Sequence, residues 1–153
     1  AFGAPGTLRL SYGRFAEAEE TAAVAARLSP ARIAIDFDRT LATTRSGGAP
    51  VFGKHGCDDE LLALLWAWRG ACLVLTRNRH TEAIRSFLQA HGAPPELEIV
   101  HVKKGEAKGT QLREGLRDGE VALLVDDSVA ELAHPTVALR TDVHRVLFVR
   151  AML

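Results

Sequence analysis

The sequence predicts an α/β protein built on a doubly wound parallel sheet, a Rossmann-like core. Three observations carry this expectation. Short apolar runs alternate along the chain with longer segments of helical composition. The runs are continuous rather than alternating in polarity, as strands covered on both faces must be. Polar clusters close four of the runs, and in this class ligands bind beyond the carboxyl ends of the strands. A length of 153 residues favours one domain, 1–153, large enough to bury a real core.

The elements follow in order. Residues 1–13 are punctuated by Gly and Pro and are expected to form an irregular N-terminal segment. Arg14 to Leu28 is rich in Ala and Glu and reads as a helix stopped by Ser29-Pro30. Ile33 to Ile35 is a short buried strand. Asp58-Asp59-Glu60 places acids at the start of a helix, where the macrodipole favours them, and Gly70 can end it. The body of that helix, Leu61 to Trp68, is apolar on nearly every face, so it needs wide cover from this chain or from a partner. Ala71 to Leu75 is the next strand, and Thr81 to His91 a helix with Ile84, Phe87 and Leu88 on one side. Leu97 to Val102 follows as a strand, Lys108 to Leu116 as a weaker helix, and Val121 to Val125 as a wholly apolar strand. Val137 to Leu139 and Val146 to Val149 are read as two more short strands. No repeat or interdomain linker interrupts the series.

Composition narrows the function classes. Lys+Arg and Asp+Glu both number 19, so the formal net charge is zero and nucleic-acid binding driven by bulk charge is disfavoured. No apolar run reaches the roughly 20 residues a membrane span needs. Cys57 and Cys72 are too few for a disulfide framework, and they read as small buried apolar residues in a reducing, cytoplasmic compartment. The first residues show no basic and apolar leader. The chain does not begin with Met, which leaves open that it is trimmed or cut from a longer protein.

Chemistry is expected at the strand ends. The Ile33–Ile35 strand runs into Asp36-Phe37-Asp38-Arg39-Thr40, the next into Thr76-Arg77-Asn78, the third into Lys103-Lys104 with Lys108 soon after, and the fourth into Asp126-Asp127-Ser128 with Glu131 one helical turn on. Asp36 and Asp38 are two apart, so in extended backbone they point the same way. Adding Asp127 crowds negative charge that a hard cation must offset. Oxygen donors without sulfur point to Mg²⁺. A carboxylate attacks an anionic phosphate only when positive charge reduces the repulsion. Lys108 supplies such charge, and Thr76 offers a hydrogen bond to a phosphoryl oxygen.

These four segments, in this order and each behind an apolar run, resemble the four motifs of the haloacid dehalogenase superfamily of phosphohydrolases. The resemblance spans about Arg32 to Glu131. It implies a Rossmann-like core in which Asp36 is the nucleophile and forms an aspartyl-phosphate. Asp38 would be the general acid/base, and Thr76 and Lys108 would hold the phosphoryl oxygens. Mg²⁺ would sit between the Asp36 carboxylate, the Asp38 carbonyl and Asp127, with Asp126 in support. Arg39 stands where the family commonly has Gly, and Glu131 where the last acid is often Asp. Lys103 and Lys104 remain alternatives for the lysine role, although the Lys108-Gly109 pair opening a helix favours Lys108. The short stretch from Leu41 to Cys57 leaves no room for a large cap domain.

A narrower resemblance lies in Asp36-Phe37-Asp38-Arg39-Thr40-Leu41-Ala42-Thr43-Thr44-Arg45-Ser46-Gly47, which is similar to the first motif of polynucleotide 3'-phosphatases. It implies nucleic-acid ends as partners. Independently, Arg39, Arg45, Lys54, Arg77, Arg79, Lys103, Lys104 and Lys108 all fall in segments expected at the strand-end edge, a local basic rim that suits a phosphodiester chain. Arg45, Thr76, Arg77 and Lys104 are the expected substrate-binding residues. Phosphoprotein or small-molecule hydrolysis is the alternative within enzymes, and a non-catalytic interaction module the alternative outside them. Each feature also has an ordinary structural reading. Asp126-Asp127 would cap a helix beginning near Ser128, Lys103 and Lys104 are typical surface lysines, and Trp66 and Trp68 suit a core or a homodimer interface.

Overall fold

The computed structural model describes residues 8–10 and 14–148, with side chains from residue 20 onward. Its elements in chain order are β1 (Leu8–Leu10), α1 (Arg14–Leu28), β2 (Arg32–Ile35), α2 (Asp59–Ala67), β3 (Cys72–Thr76), α3 (Thr81–Ala90), β4 (Glu98–His101), α4 (Lys108–Arg113), β5 (Ala122–Asp126), α5 (Val129–Ala133), α6 (Pro135–Ala138) and β6 (Val143–Leu147). The strands form one six-stranded sheet in the order β1-β6-β5-β2-β3-β4, and every neighbouring pair is parallel. This is the expected α/β architecture with a Rossmann-like parallel sheet.

The continuous apolar strands divide by alternate residues into two cores. Ile33 and Ile35 of β2, Val74 of β3 and Leu123 and Val125 of β5 pack with Val24, Leu61, Leu65, Ile84 and Phe87 from α1, α2 and α3. Ala34, Leu73, Leu75, Ala122 and Leu124 face the other way, against Leu112, Leu132 and Val137 of α4, α5 and α6. Both faces of the sheet are covered, which is why polar residues are absent from the interiors of β2, β3 and β5.

Local chemistry sets the helix starts. The Asp58 side chain caps α2 by accepting from Glu60 N at 3.0 Å and Leu61 N at 2.9 Å. Leu61, Leu62, Leu64 and Leu65 are buried inside this chain, so the sheet and α1 absorb most of the apolar surface of α2. Trp66 stays 41% exposed, with its indole N–H donating to Gly92 O at 2.7 Å. Cys72 is buried, and burial pushes its thiol up to about 12.

Three expectations need correction. Leu8–Leu10 is a strand and not part of an irregular segment, because β6 offers an open edge that it pairs in parallel. The remaining residues of that segment, 1–7 and 11–13, lie outside the described residues. Val137 to Leu139 is not a strand. Pro135 occupies the first turn of α6 and His134 caps it by accepting from Thr136 N, so Val137 falls within a short helix. The last strand begins at Val143, earlier than Val146, because half-buried His144 and Arg145 lie within it. Val149 lies outside the described residues.

Candidate functional site

The strand order creates the site. β2 lies between β5 and β3, and the chain switches sides of β2 when it passes from β4 to β5. Ile35 is in register with Val125, and Asp36 N donates to Val125 O at 2.9 Å. Asp36 and Asp126 therefore emerge side by side at the carboxyl edge, where the reversal of strand order opens a crevice. An open pocket of about 570 Å³ lies there, with Asp36, Asp38, Lys108, Asp127 and Glu131 among its walls.

Lys108 is the centre of the charge arrangement. It is 2% exposed, and its Nζ donates to Asp36 Oδ1 at 2.8 Å and to Asp126 Oδ2 at 2.7 Å. Glu131 Oε2 lies 3.8 Å from the same nitrogen. Asp36, Asp126 and Asp127 each offer a carboxylate oxygen, and these oxygens lie within 4.8 Å of one another. Such an all-oxygen set suits a hard divalent cation, and one ammonium cannot balance three carboxylates.

The titration of the cluster reflects that imbalance. Burial pushes Asp36 up to about 7; Lys108 opposes the rise and Asp127 adds to it. Burial and the neighbouring Asp36 carry Asp126 up to about 6 despite Lys108. Asp127 is also raised, first by burial. Burial alone would lower Lys108, but Asp36 and Asp126 outweigh it and hold the ammonium above its ordinary value. Ionisable groups this perturbed, crowded into one crevice, make it the candidate functional site.

The other named residues divide into groups. Asp38 is half-buried and stands apart from the triad of acids, its carboxylate accepting from Thr44 Oγ1 at 2.6 Å. Arg39, next to it, is exposed, lines the pocket and has φ +60°, the left-handed region that Gly adopts most easily. Thr76 is fully buried and is not among the pocket walls, its Oγ1 accepting from Asn78 N at 2.9 Å. Arg45 is exposed and lines the pocket. Arg77 lines it too, but its guanidinium is committed: Nε and one Nη donate to Glu131 at 2.7 and 3.0 Å, and the other Nη donates to Lys103 O at 2.7 Å. Lys103 and Lys104 are exposed and outside the pocket walls, so Lys108 is the lysine among the acids. Asp126 Oδ1 accepts from Ser128 N, while Ser128 itself caps α5. The capping role that Asp126-Asp127 offered thus falls to the serine.

Two partnerships were not visible in the sequence. One is the Arg77–Glu131 clasp, which joins the end of β3 to α5. The other is Asn78, a buried residue whose amide donates to Asp38 and to Gly48 O. Asn78 directly follows Thr76-Arg77, but Asn after a strand reads first as a turn former. No protein-family model matches the chain, nor does any curated protein or solved structure.

Proposed function

We propose that the chain is a magnesium-dependent phosphomonoester hydrolase of the haloacid dehalogenase type, acting through an aspartyl-phosphate on Asp36. The observation that carries this reading is the buried Lys108 ammonium bridging Asp36 and Asp126, with Asp127 completing a triad of carboxylates. Folding gains nothing from gathering like charges in a crevice, whereas phosphoryl transfer requires them beside a cation. Asp36, Asp126 and Asp127 would hold Mg²⁺, which when bound offsets the repulsion between carboxylate and phosphate.

The chain's own groups then divide the work. An Asp36 oxygen attacks phosphorus while Lys108 orients that carboxylate and neutralises phosphoryl charge. Thr76, fully buried and not among the pocket walls, accepts from Asn78 N and so holds the turn that follows β3. Asp38 protonates the leaving oxygen and then takes a proton from the water that releases phosphate. Between β2 and α2 the chain carries only isolated bridges and no helix, in keeping with an uncapped site open to a large substrate.

The proposed substrate is a polynucleotide 3'-phosphate end. A second hollow of about 460 Å³ adjoins the acidic pocket, and Arg45 and Ser46 line both. Lys54 and His55 also line the second hollow, and no acidic side chain does. A terminal phosphate at Asp36 would leave the next phosphodiester over Arg45 and Lys54.

Phosphate release from an aryl phosphate tests the reaction. It should require Mg²⁺ and vanish in Asp36→Asn; activity that survives the substitution overturns the mechanism. A 3'-phosphorylated oligonucleotide should then outperform a phosphopeptide and free nucleotides, with salt-sensitive rates that fall in Arg45→Ala. Equal rates on the three would remove the nucleic-acid assignment and keep the hydrolase.

A further inference from the structure

Three donor groups hold the Asp38 carboxylate. Besides the Thr44 hydroxyl, Gly47 N donates to its Oδ2 at 3.4 Å. The Asn78 amide nitrogen adds a third donor, 3.3 Å from Oδ2 and 3.5 Å from Oδ1. Asn78 is fully buried and every polar atom of its side chain is used. Nδ2 also donates to Gly48 O at 2.8 Å, and Oδ1 accepts from His80 N at 3.0 Å. Because a backbone N–H can only donate, the oxygen of this amide must face His80. The NH₂ group must then face Asp38 and Gly48. A buried amide bonded in this way has a single orientation.

We propose that Asn78 is the positioning residue for Asp38: it fixes the carboxyl group that hands a proton to the leaving oxygen and pins the adjoining loop, residues 44–48, beside it. This rests on the reading of Asp38 as the general acid. In that step an Asp36 oxygen bonds phosphorus, the bond from phosphorus to the ester oxygen breaks, and the Asp38 proton passes to that oxygen. Asp38 is left as the carboxylate. In the second step a water oxygen bonds phosphorus, its proton passes to Asp38, and the bond from phosphorus to Asp36 breaks. Donors from Asn78 and Thr44, on two different loops, stop the carboxyl group from rotating between the steps.

A residue that merely stapled the two loops together would affect all substrates alike. A residue acting through Asp38 affects them according to the leaving group. The ester oxygen of 4-nitrophenyl phosphate departs with little protonation, whereas that of a simple alkyl phosphate needs the proton. The test compares kcat/KM, which reports the first chemical step, for these two esters in Asn78→Ala and in Asn78→Asp. The second variant preserves the shape and the acceptor for His80 N. Both should lose about tenfold or more on the alkyl ester and less than about threefold on the aryl ester. In an Asp38→Asn background, Asn78→Ala should produce no further selective loss. Equal losses on the two esters, or a selective loss that persists without Asp38, overturns the proposal while leaving the hydrolase reading intact. A wild-type protein that hydrolyses neither ester overturns the hydrolase reading itself, and this proposal with it.

Discussion

Lys108 opens a helix, the end where a cation is least welcome, and is almost entirely buried there. Asp36 and Asp126 explain that placement, and the helix-start position was already the feature that distinguished Lys108 from Lys103 and Lys104 in the sequence. Aspartates at the ends of separate strands were legible as one group, since a parallel sheet delivers its strand ends to one edge. The partners of Arg77 and Asn78 were not legible, because side-chain pairing across loops depends on distances that spacing does not encode. A residue-scale prediction separates a functional acid cluster from a structural one. Asp127→Asn removes one of three like charges, so the metal-free protein should gain stability, on the order of 1 kcal/mol. The wild type should show a rise in Tm with Mg²⁺, and the same variant should lose it. Thermal unfolding with and without Mg²⁺ measures both, and a loss of stability in the metal-free variant would count against a cluster held for function.

Gly109 shows how an element is set to place a residue. A methyl group there would clash with the Thr136 hydroxyl and lie 2.8 Å from both Thr136 Cβ and Thr136 O. α4 can approach α6 only with hydrogen at this position, and that approach carries Lys108 to the acids. Gly109→Ala should therefore cost about 1–3 kcal/mol and lower the proposed phosphatase activity, because α4 must shift. Chemical denaturation checks the first effect, and an activity equal to wild type would show that α4 does not set Lys108. The short elements around this contact were the ones the sequence left ambiguous. Val137 to Leu139 is too brief to show a period, and Pro135, a good first-turn residue, decides for helix. β1 is equally brief, and its strand character comes from the β6 edge rather than from its own composition. α2, by contrast, was legible at its start, because Asp58, Asp59 and Glu60 carry the cap and the favourable charge within three consecutive positions.

For the whole molecule the decisive fact is strand order, which places β2 beside β5 and so makes one site from residues far apart in sequence. Alternating elements foretell a parallel sheet, but only the packed sheet shows which strands become neighbours. Its energetic consequence can be measured. Asp36 and Asp126 have folded values of about 7 and 6 against an ordinary 3.8, so the folded state binds more protons between these limits. Stability of the metal-free protein from these groups should fall as pH rises through that window. Mg²⁺ competes with the same protons, so its stabilising effect on Tm should be small near about pH 5 and grow toward about pH 8. A Mg²⁺ effect independent of pH would place the cation elsewhere.

The central claim is covalent chemistry at Asp36, and trapping tests it most directly. Enzyme mixed with a phosphomonoester and Mg²⁺, quenched in acid and digested, should yield a peptide containing Asp36 that carries one phosphoryl group. Hydroxylamine should remove that group, as it does an acyl phosphate, and omitting Mg²⁺ should prevent its formation. Turnover with no phosphorylated Asp36 peptide, or with the phosphoryl group on another residue, would contradict the account.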